Sequence, residues 1–217
     1  MIFDWNVVVY AIPLLAAGIV QTLKVSIVAC ILGLGLGLVA GLGSLSHNRP
    51  LRLLVRIYVD FIRGTPLLIQ IFLVFFALPV VGIRMSEYWA GVFALAVNSG
   101  AYIAEVVRGT VGSIERGQTE AALSIGMTRK KVLIWVLLPQ AWRPMIPAVT
   151  NDLITLTKNS SLLSAISVYE LTRSGQAIIA THFAPFEIYL LLALYYWALI
   201  SVLSWASRRI EKALPSW

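Results

Sequence analysis

Residues 25–45 read VSIVACILGLGLGLVAGLGSL, and this stretch contains no charged side chain. A helix of about 20 apolar residues, rising 1.5 Å per residue, crosses the roughly 30 Å hydrocarbon core of a bilayer. The stretch therefore predicts a membrane-spanning helix. The apolar pattern allows this helix to begin as early as Ile12, with Lys24 near its outer end.

The composition of the whole chain agrees with a membrane protein. Of its 217 residues, 59% are hydrophobic and 12% are charged, whereas soluble domains carry about 25% charged residues. The net charge of +7 would suggest a nucleic-acid partner for a soluble protein. Because the basic residues lie between apolar runs, we interpret them as topology signals and expect no nucleic-acid partner. We predict an all-α integral membrane protein with a single transmembrane domain over residues 1–217.

Apolar runs after the first stretch predict further spans. The second is preceded by Pro66, and the fourth is interrupted by Asp152 and Lys158. With the first stretch they give five predicted transmembrane helices. The further runs cover residues 67–81, 88–104, 144–166 and 186–205.

The distribution of lysine and arginine predicts the orientation of these spans. Clear of the spans, one side carries only Arg84 and Arg173. Cytoplasmic loops are enriched in basic residues, so we expect the N-terminus outside and the C-terminus inside. The other side collects Arg49, Arg52, Arg56, Arg108, Arg116, Arg129, Lys130, Lys131, Arg143, Arg208, Arg209 and Lys212.

Glycines in the first span recur at every fourth position, at Gly33, Gly37 and Gly41. Small residues at this spacing form a groove that lets another helix approach closely. The sequence leaves open whether that helix belongs to the same chain or to a partner chain.

The predicted cytoplasmic loop, at about residues 113–139, carries a spaced motif. Glu120-Ala121-Ala122 is followed by Gly126 and then by Val136, Leu138 and Pro139. Gly126 is a natural helix terminator in the left-handed conformation, and Thr128 is suited to cap a second helix running toward Pro139. An alternative is an ordinary amphipathic helix attracted to anionic headgroups through its basic cluster.

This spacing resembles the EAA motif of ABC-importer permeases, and the resemblance implies a type I importer permease fold in a bacterial inner membrane. The loop would couple to an ABC ATP-binding subunit, present in two copies, which carries the ATP and Mg. A second permease chain, identical or paralogous, and an extracytoplasmic solute-binding protein would complete the importer, surrounded by membrane lipid. The implied coupling residues are Glu120, Ala121, Ala122, Leu123, Gly126, Met127 and Arg129.

Catalysis by this chain is not expected. The sequence has no GxxxxGK[ST] phosphate loop, so ATP binding by that device is excluded. Its two histidines, His47 and His182, are far apart in sequence, which argues against a metal site or a catalytic triad. We expect no cofactor on this chain.

Two further segments resemble polar amino-acid permeases of the glutamine, arginine or histidine type. They are Arg-Gly-Thr-Pro at residues 63–66 and Asn-Ser-Gly-Ala-Tyr-Ile-Ala-Glu at residues 98–105. The resemblance implies that a polar amino acid crosses the membrane by alternating access. A secondary transporter, a membrane-embedded enzyme and an assembly subunit without transport activity remain alternatives.

Polar residues on the third and fourth spans predict the substrate path, because polar groups inside a membrane usually face a bundle interior or a water-filled path. Helical periodicity groups them on two faces. Alternatively, Glu105 pairs with Arg108 or Lys158 and only holds helices together, while Arg63 anchors its helix. The predicted path residues are Asn98, Tyr102, Glu105, Asp152, Thr155, Lys158 and Asn159, with Asn151 on the same face as Thr155 and Lys158.

Overall fold

The computed structural model describes residues 3–213, and every regular element within that range is helical. Short π and 3₁₀ segments continue several of the α-helices: Leu73–Ala77 and Leu78–Val81 follow α3, Leu133–Leu137 joins α6 to α7, and Ser160–Ile166 follows α7. The α-helices are α1 (Trp5–Ser44), α2 (Arg49–Gly64), α3 (Leu67–Phe72), α4 (Glu87–Gly112), α5 (Arg116–Ser124), α6 (Arg129–Val132), α7 (Leu138–Asn159), α8 (Leu171–His182) and α9 (Pro185–Ala213).

The first helix is longer than the sequence predicts. The carboxylate of Asp4 accepts hydrogen bonds from the backbone N–H groups of Asn6 and Val7, at 2.9 and 3.4 Å, and this cap starts α1 at Trp5. A 40-residue helix rises about 60 Å, roughly twice the thickness of the hydrocarbon core. The residues of α1 before Val25 therefore extend the helix beyond the span predicted from residues 25–45.

The second span is bent. α2 and the segment Leu67–Val81 meet at an angle of 111°, and they are long and apolar enough to cross a membrane only when taken together. The break falls at Pro66, which has no N–H to continue the helix, and Thr65 before it is extended, with φ −120° and ψ 147°. With this pair counted as one span, the described residues contain five spans, as predicted.

The central helix of the bundle is α4, and α1 packs along it. A Cβ added to Gly33, Gly37 or Gly41 would lie 2.5 Å from Ser99 Oγ, Ile103 Cβ or Val107 Cβ, respectively. Real Cβ atoms do not approach other atoms so closely, so only glycine permits this contact. The glycine stripe therefore packs within one chain, which answers the question that the sequence leaves open.

The fourth span also exceeds its predicted limits. The sequence predicts a helix that runs toward Pro139 and a separate span over residues 144–166, whereas the structure has one helical segment, Arg129–Ile166, of 38 residues. A π turn at Leu133–Leu137 precedes Pro139, and Pro144 and Pro147 lie inside α7. Basic residues from Arg129 onward thus belong to the helix that enters the apolar bundle.

Glu170, at the start of α8, joins three helices. Its carboxylate is fully buried and accepts hydrogen bonds from the Tyr196 hydroxyl on α9 at 2.8 Å and from the Arg173 N–H at 2.8 Å. Thr22 on α1 accepts a bond from the Leu171 N–H at 3.1 Å. Burial raises the pKa of the Glu170 carboxyl above its ordinary value, while the donated hydrogen bonds act in the opposite direction. This network fixes α8 against α1 and α9.

The glycine stripe gives a test of the packing. We expect Gly37→Ala to lower the free energy of unfolding of the purified chain in detergent by about 1–3 kcal/mol, because the added methyl overpacks the contact with Ile103. A thermal or denaturant unfolding curve would measure the loss. Gly35→Ala is the matched control, since nothing lies within 4 Å of a Cβ at that position. Equal stability of the two variants would contradict the close approach of α1 and α4.

Candidate functional site

An open cavity of about 670 Å³ lies between α4, α7 and the bend that follows α2. Its wall combines polar side chains with a smaller number of apolar ones, as expected for a site that binds a polar solute in an apolar bundle. The lining residues are Arg63, Thr65, Leu67, Asn98, Tyr102, Ile103, Glu105, Val106, Ala148, Asn151, Asp152, Thr155, Leu156 and Asn159.

Six of the seven predicted path residues line this cavity. The exception is Lys158, which is exposed and lies outside the lining. On α7 the side chains that contribute are Asn151, Asp152, Thr155 and Asn159. The cation that lines the cavity is Arg63, at the end of α2, and the role of Lys158 in the path stays a prediction.

Glu105 is held by two guanidinium groups. Arg108 donates to it through Nε at 2.9 Å and through Nη2 at 2.8 Å, and Nη1 of Arg63 lies 3.3 Å from the same carboxylate. The Arg63 guanidinium also lies over the ring of Tyr102, 5.5 Å from its centroid. The sequence raised the alternative that Glu105 pairs with Arg108 and holds helices together, and the structure contains this pair. The pair with Arg63 adds a link between α2 and α4.

Asp152 differs from Glu105 in its partners. It accepts a short hydrogen bond from the Ser99 hydroxyl on α4. Among residues 3–213, the ion pairs within 4.0 Å involve Asp60 and Glu105 but not Asp152. The cavity thus contains one carboxylate that is neutralised by arginines and one that faces the space without a cation beside it.

The side chain of Asn98 is held at the bend at Pro66 by a hydrogen bond to Gln70. Its Nδ2 donates to Gln70 Oε1 at 2.9 Å, and both side chains are buried. Gln70 Nε2 in turn donates to the carbonyls of Ile62 and Thr65, at 2.7 and 3.1 Å. These carbonyls lie where the helix is interrupted, so the amide pair satisfies backbone groups that would otherwise lack partners in the apolar bundle.

The predicted coupling loop forms a helix, a tight turn and a second helix start. α5 carries Glu120, Ala121, Ala122 and Leu123, of which only Ala122 is buried. Gly126 has φ +84°, and the Met127 N–H donates to the Ala122 carbonyl at 3.2 Å. This closes α5 in the way predicted for a left-handed glycine.

The second helix begins at the residue that the sequence predicts. Thr128 Oγ1 accepts a hydrogen bond from the Lys131 N–H at 3.4 Å, and α6 follows from Arg129. The side chain of Arg129 is exposed and that of Met127 is half-buried. The exposed residues of α5 and the turn therefore form one protruding surface.

The sequence does not predict the position of two residues: Arg63, which lines the cavity, and Gln70, which is hydrogen-bonded to the lining residue Asn98. The sequence predicts that Arg63 anchors its helix and that Gln70 is part of the apolar run over residues 67–81. The available signal was Pro66: a proline between two apolar segments indicates a break, and a break leaves carbonyls that a nearby amide or guanidinium can bind.

Comparison with known proteins identifies the class to which this fold and site belong. The family described as the inner membrane component of binding-protein-dependent transport systems matches residues 33–215, and the chain belongs to this family. It is a membrane permease subunit of an ABC importer, and ATP hydrolysis resides on a separate subunit, as the sequence predicts.

Individual relatives match over nearly the whole chain. The glutamine transport system permease protein GlnP of Escherichia coli (strain K12) is 39% identical over 99% of this chain and 99% of its own length. The arginine transport system permease protein ArtQ of Bacillus subtilis (strain 168) is 35% identical over 100% of this chain and 99% of its own.

Solved structures agree with the fold. A chain from the crystal structure of an amino acid ABC transporter with histidines superposes with a TM-score of 0.92 at 35% identity, covering 99% of this chain and 100% of that chain. A chain of the MetNI methionine ABC transporter in an inward-facing conformation gives 0.79 at 25% identity, covering 94% and 97%. The predicted type I importer permease fold is confirmed.

The buried amide pair is open to a double-mutant cycle. We expect Gln70→Leu and Asn98→Leu each to destabilise the chain by about 1–3 kcal/mol, because each leaves a buried polar partner unsatisfied. The double variant should cost less than the sum, since the two side chains share a hydrogen bond. Gln140→Leu is the control, because Gln140 is exposed and donates to the Val136 carbonyl of its own turn. Additive losses in denaturant titrations would argue against the pairing.

Proposed function

We propose that this chain forms one half of the translocation path of an importer for a polar amino acid. The observation that carries the proposal is the pair of groups on the cavity wall: the Asp152 carboxylate without a cation, and the Arg63 guanidinium. An amino acid presents an ammonium and a carboxylate, and each would meet a charge-assisted hydrogen bond here. The glutamine and arginine permeases named above have substrates of this class.

Each polar group of the cavity then has a role. Asp152 accepts from the substrate ammonium while Ser99 holds its carboxylate in place. Arg63 is oriented toward the cavity by Glu105 and Tyr102 and donates to the substrate carboxylate. Thr155 and Asn159 are available to bind a polar side chain. Lys158 is exposed and lies outside the lining, so it would lie at the mouth of the path or contact a partner chain.

A second permease chain, identical or paralogous, closes the cavity in this proposal. Asn151, Thr155 and Lys158 are exposed on α7, and polar side chains facing hydrocarbon are costly. A second chain related by a twofold axis would cover them and would supply the opposite wall of the path. An extracytoplasmic solute-binding protein would deliver the amino acid to the other end.

The orientation in the membrane follows from the basic residues. The segments that carry them, namely α2, α5, α6 and the end of α9, would face the cytoplasm of a bacterial cell, with the chain spanning its inner membrane several times. In this orientation α5 protrudes on the same side as a cytoplasmic ATPase. Each of two ATP-binding subunits, which carry ATP and Mg, would grip one such helix through Glu120, Ala121 and Leu123.

Transport then proceeds by alternating access. ATP brings the two ATP-binding subunits together, the coupling helices move with them, and the cavity changes its opening from the inside to the outside. Hydrolysis returns the bundle to its first state. The chain itself binds, orients and releases the amino acid, and no step of ATP chemistry takes place on its residues.

The cavity assignment is tested by Asp152→Asn. Removing the charge should weaken ATP-driven amino-acid uptake into proteoliposomes roughly 10- to 100-fold, which corresponds to one lost charge-assisted hydrogen bond. Copurification with the ATP-binding subunit should be unaffected. Asp60→Asn is the control, since Asp60 is exposed, lies outside the cavity lining and pairs with Arg56 at 3.6 Å. Uptake by Asp152→Asn at the wild-type rate would remove Asp152 from the path.

The coupling assignment is tested at Gly126. A β-branched residue is strongly disfavoured at φ +84°, so Gly126→Val should distort the turn after α5 although no atom lies within 4 Å of the new Cβ. We expect loss of the ATP-binding subunit on copurification and loss of coupled ATPase activity. Gly117→Val, in α5 with equally open space and no positive φ, should retain both. Should both variants bind the subunit equally well, the docking role of this turn is wrong.

A further inference from the structure

A groove with apolar walls and a basic rim lies at the C-terminal end of α1. We call it the basic groove; its volume is about 530 Å³, and it is bounded by the end of α1, the end of α4, α5 and the start of the long helical segment at Arg129. It is separate from the substrate cavity. Its lining residues are Leu42, Leu45, Ser46, His47, Asn48, Val111, Thr119, Arg129, Lys130, Val132, Leu133 and Leu137.

The two halves of the basic groove differ in chemistry. Leucines from α1 and from the π turn at Leu133–Leu137 form one wall. Arg129 and Lys130 stand on the rim and are exposed, and the ion pairs within the described residues do not involve either of them. The basic groove therefore offers two cations, without acidic partners in this chain, directly beside an apolar surface.

The depth of the basic groove in a bilayer is indicated by a tryptophan. Trp135 belongs to the same π turn as Leu133 and Leu137, and it is 72% exposed. Exposed tryptophans of membrane proteins concentrate at the level of the lipid headgroups. Val39, one turn before Leu42, is also 72% exposed and continues the apolar surface toward the hydrocarbon. The basic groove thus lies at headgroup level, and its apolar wall continues through Val39 toward the hydrocarbon.

We propose that the basic groove is a binding site for an anionic phospholipid. The phosphodiester accepts from Arg129 and Lys130, and the acyl chains lie against the leucine wall. Basic pockets between transmembrane helices on the cytoplasmic side suit such headgroups. Assigning the groove to the cytoplasmic leaflet rests on the orientation given under the proposed function, whereas the lipid contacts themselves do not.

A lipid at this position would affect how movement of α5 is coupled to the bundle. Thr119 on α5 lines the same groove as Leu42 on α1 and Lys130 on α6. A lipid seated there contacts both the coupling helix and the bundle that it moves. Its presence is therefore expected to stiffen that joint and to raise the fraction of ATP hydrolysis that is coupled to uptake.

Adjacent lysines provide a matched pair for the test. Lys130 lines the groove and Lys131 does not, although both are exposed on α6. The full chain in an uncharged detergent is titrated with dioleoyl phosphatidylglycerol and followed by native mass spectrometry. Lys130→Gln should weaken the tightest bound lipid about 5-fold, and Arg129→Gln with Lys130→Gln roughly 30-fold. Lys131→Gln should bind as the wild type does.

A second variant tests the apolar wall without changing the charge. Leu45→Trp fills the groove and should reduce phosphatidylglycerol binding at unchanged net charge. Dioleoyl phosphatidylcholine, which has the same chains but no net charge, should bind at least tenfold more weakly, and glycerol phosphate, which has the phosphate without chains, should not compete.

Several results would overturn the proposal. Equal losses for Lys130→Gln and Lys131→Gln would mean unspecific attraction, and competition by glycerol phosphate would mean a plain phosphate site. If adding the ATP-binding subunit released the lipid one for one, the groove would be a protein docking surface instead. Because the readout is lipid binding by the single chain, a failure of the substrate or topology assignments would not change these outcomes.

Discussion

The close approach of α1 and α4 is the contact on which the rest of the structure depends. Gly33, Gly37 and Gly41 bring the α1 backbone against Ser99, Ile103 and Val107. In a bilayer, apolar surface gains little from leaving lipid, so helices associate through close packing and hydrogen bonds. With its apolar side fixed in this way, α4 directs its neighbouring polar residues toward α7 and the bend. The cavity between α4, α7 and the bend is a consequence of that orientation.

Electrostatics then distinguishes the two carboxylates of the cavity. Glu105 shares two guanidinium groups, and this cluster joins the end of α2 to α4. Asp152 has only hydroxyl support from Ser99 among the contacts found in the described part of the chain. A buried charge without a counterion is unfavourable by itself and becomes favourable when a cationic ligand arrives. This arrangement of charges suits the ligand class proposed above, which carries an ammonium beside a carboxylate.

Local sequence signals predicted much of this molecule because they act over one or two helical turns. The apolar length of residues 25–45, the glycine at 126 and the capping threonine at 128 each determine a feature without distant partners. The features that the sequence did not predict depend on tertiary contacts. Gln70 gained its role from a bend that exposes the Ile62 carbonyl, and Arg63 entered the cavity because that bend turns the end of α2 toward α4. Periodicity grouped Lys158 with the path, but it could not show which residues of α7 the neighbouring helices enclose.

The single helical segment Arg129–Ile166 connects the coupling loop to the cavity. It rises about 57 Å over its 38 residues, begins beside the Thr128 cap and carries Asp152 on the cavity wall. In its most apolar part 17% of the residues are buried within the chain, against 72% for α4, so this chain encloses α7 much less than α4. The π turn shifts the backbone hydrogen bonds to i→i+5 spacing and Pro144 has no N–H to donate, so the segment has two places to bend. The hydrogen bond from Ser99 to Asp152 crosses between α4 and α7, so any displacement of α7 relative to α4 would change this contact.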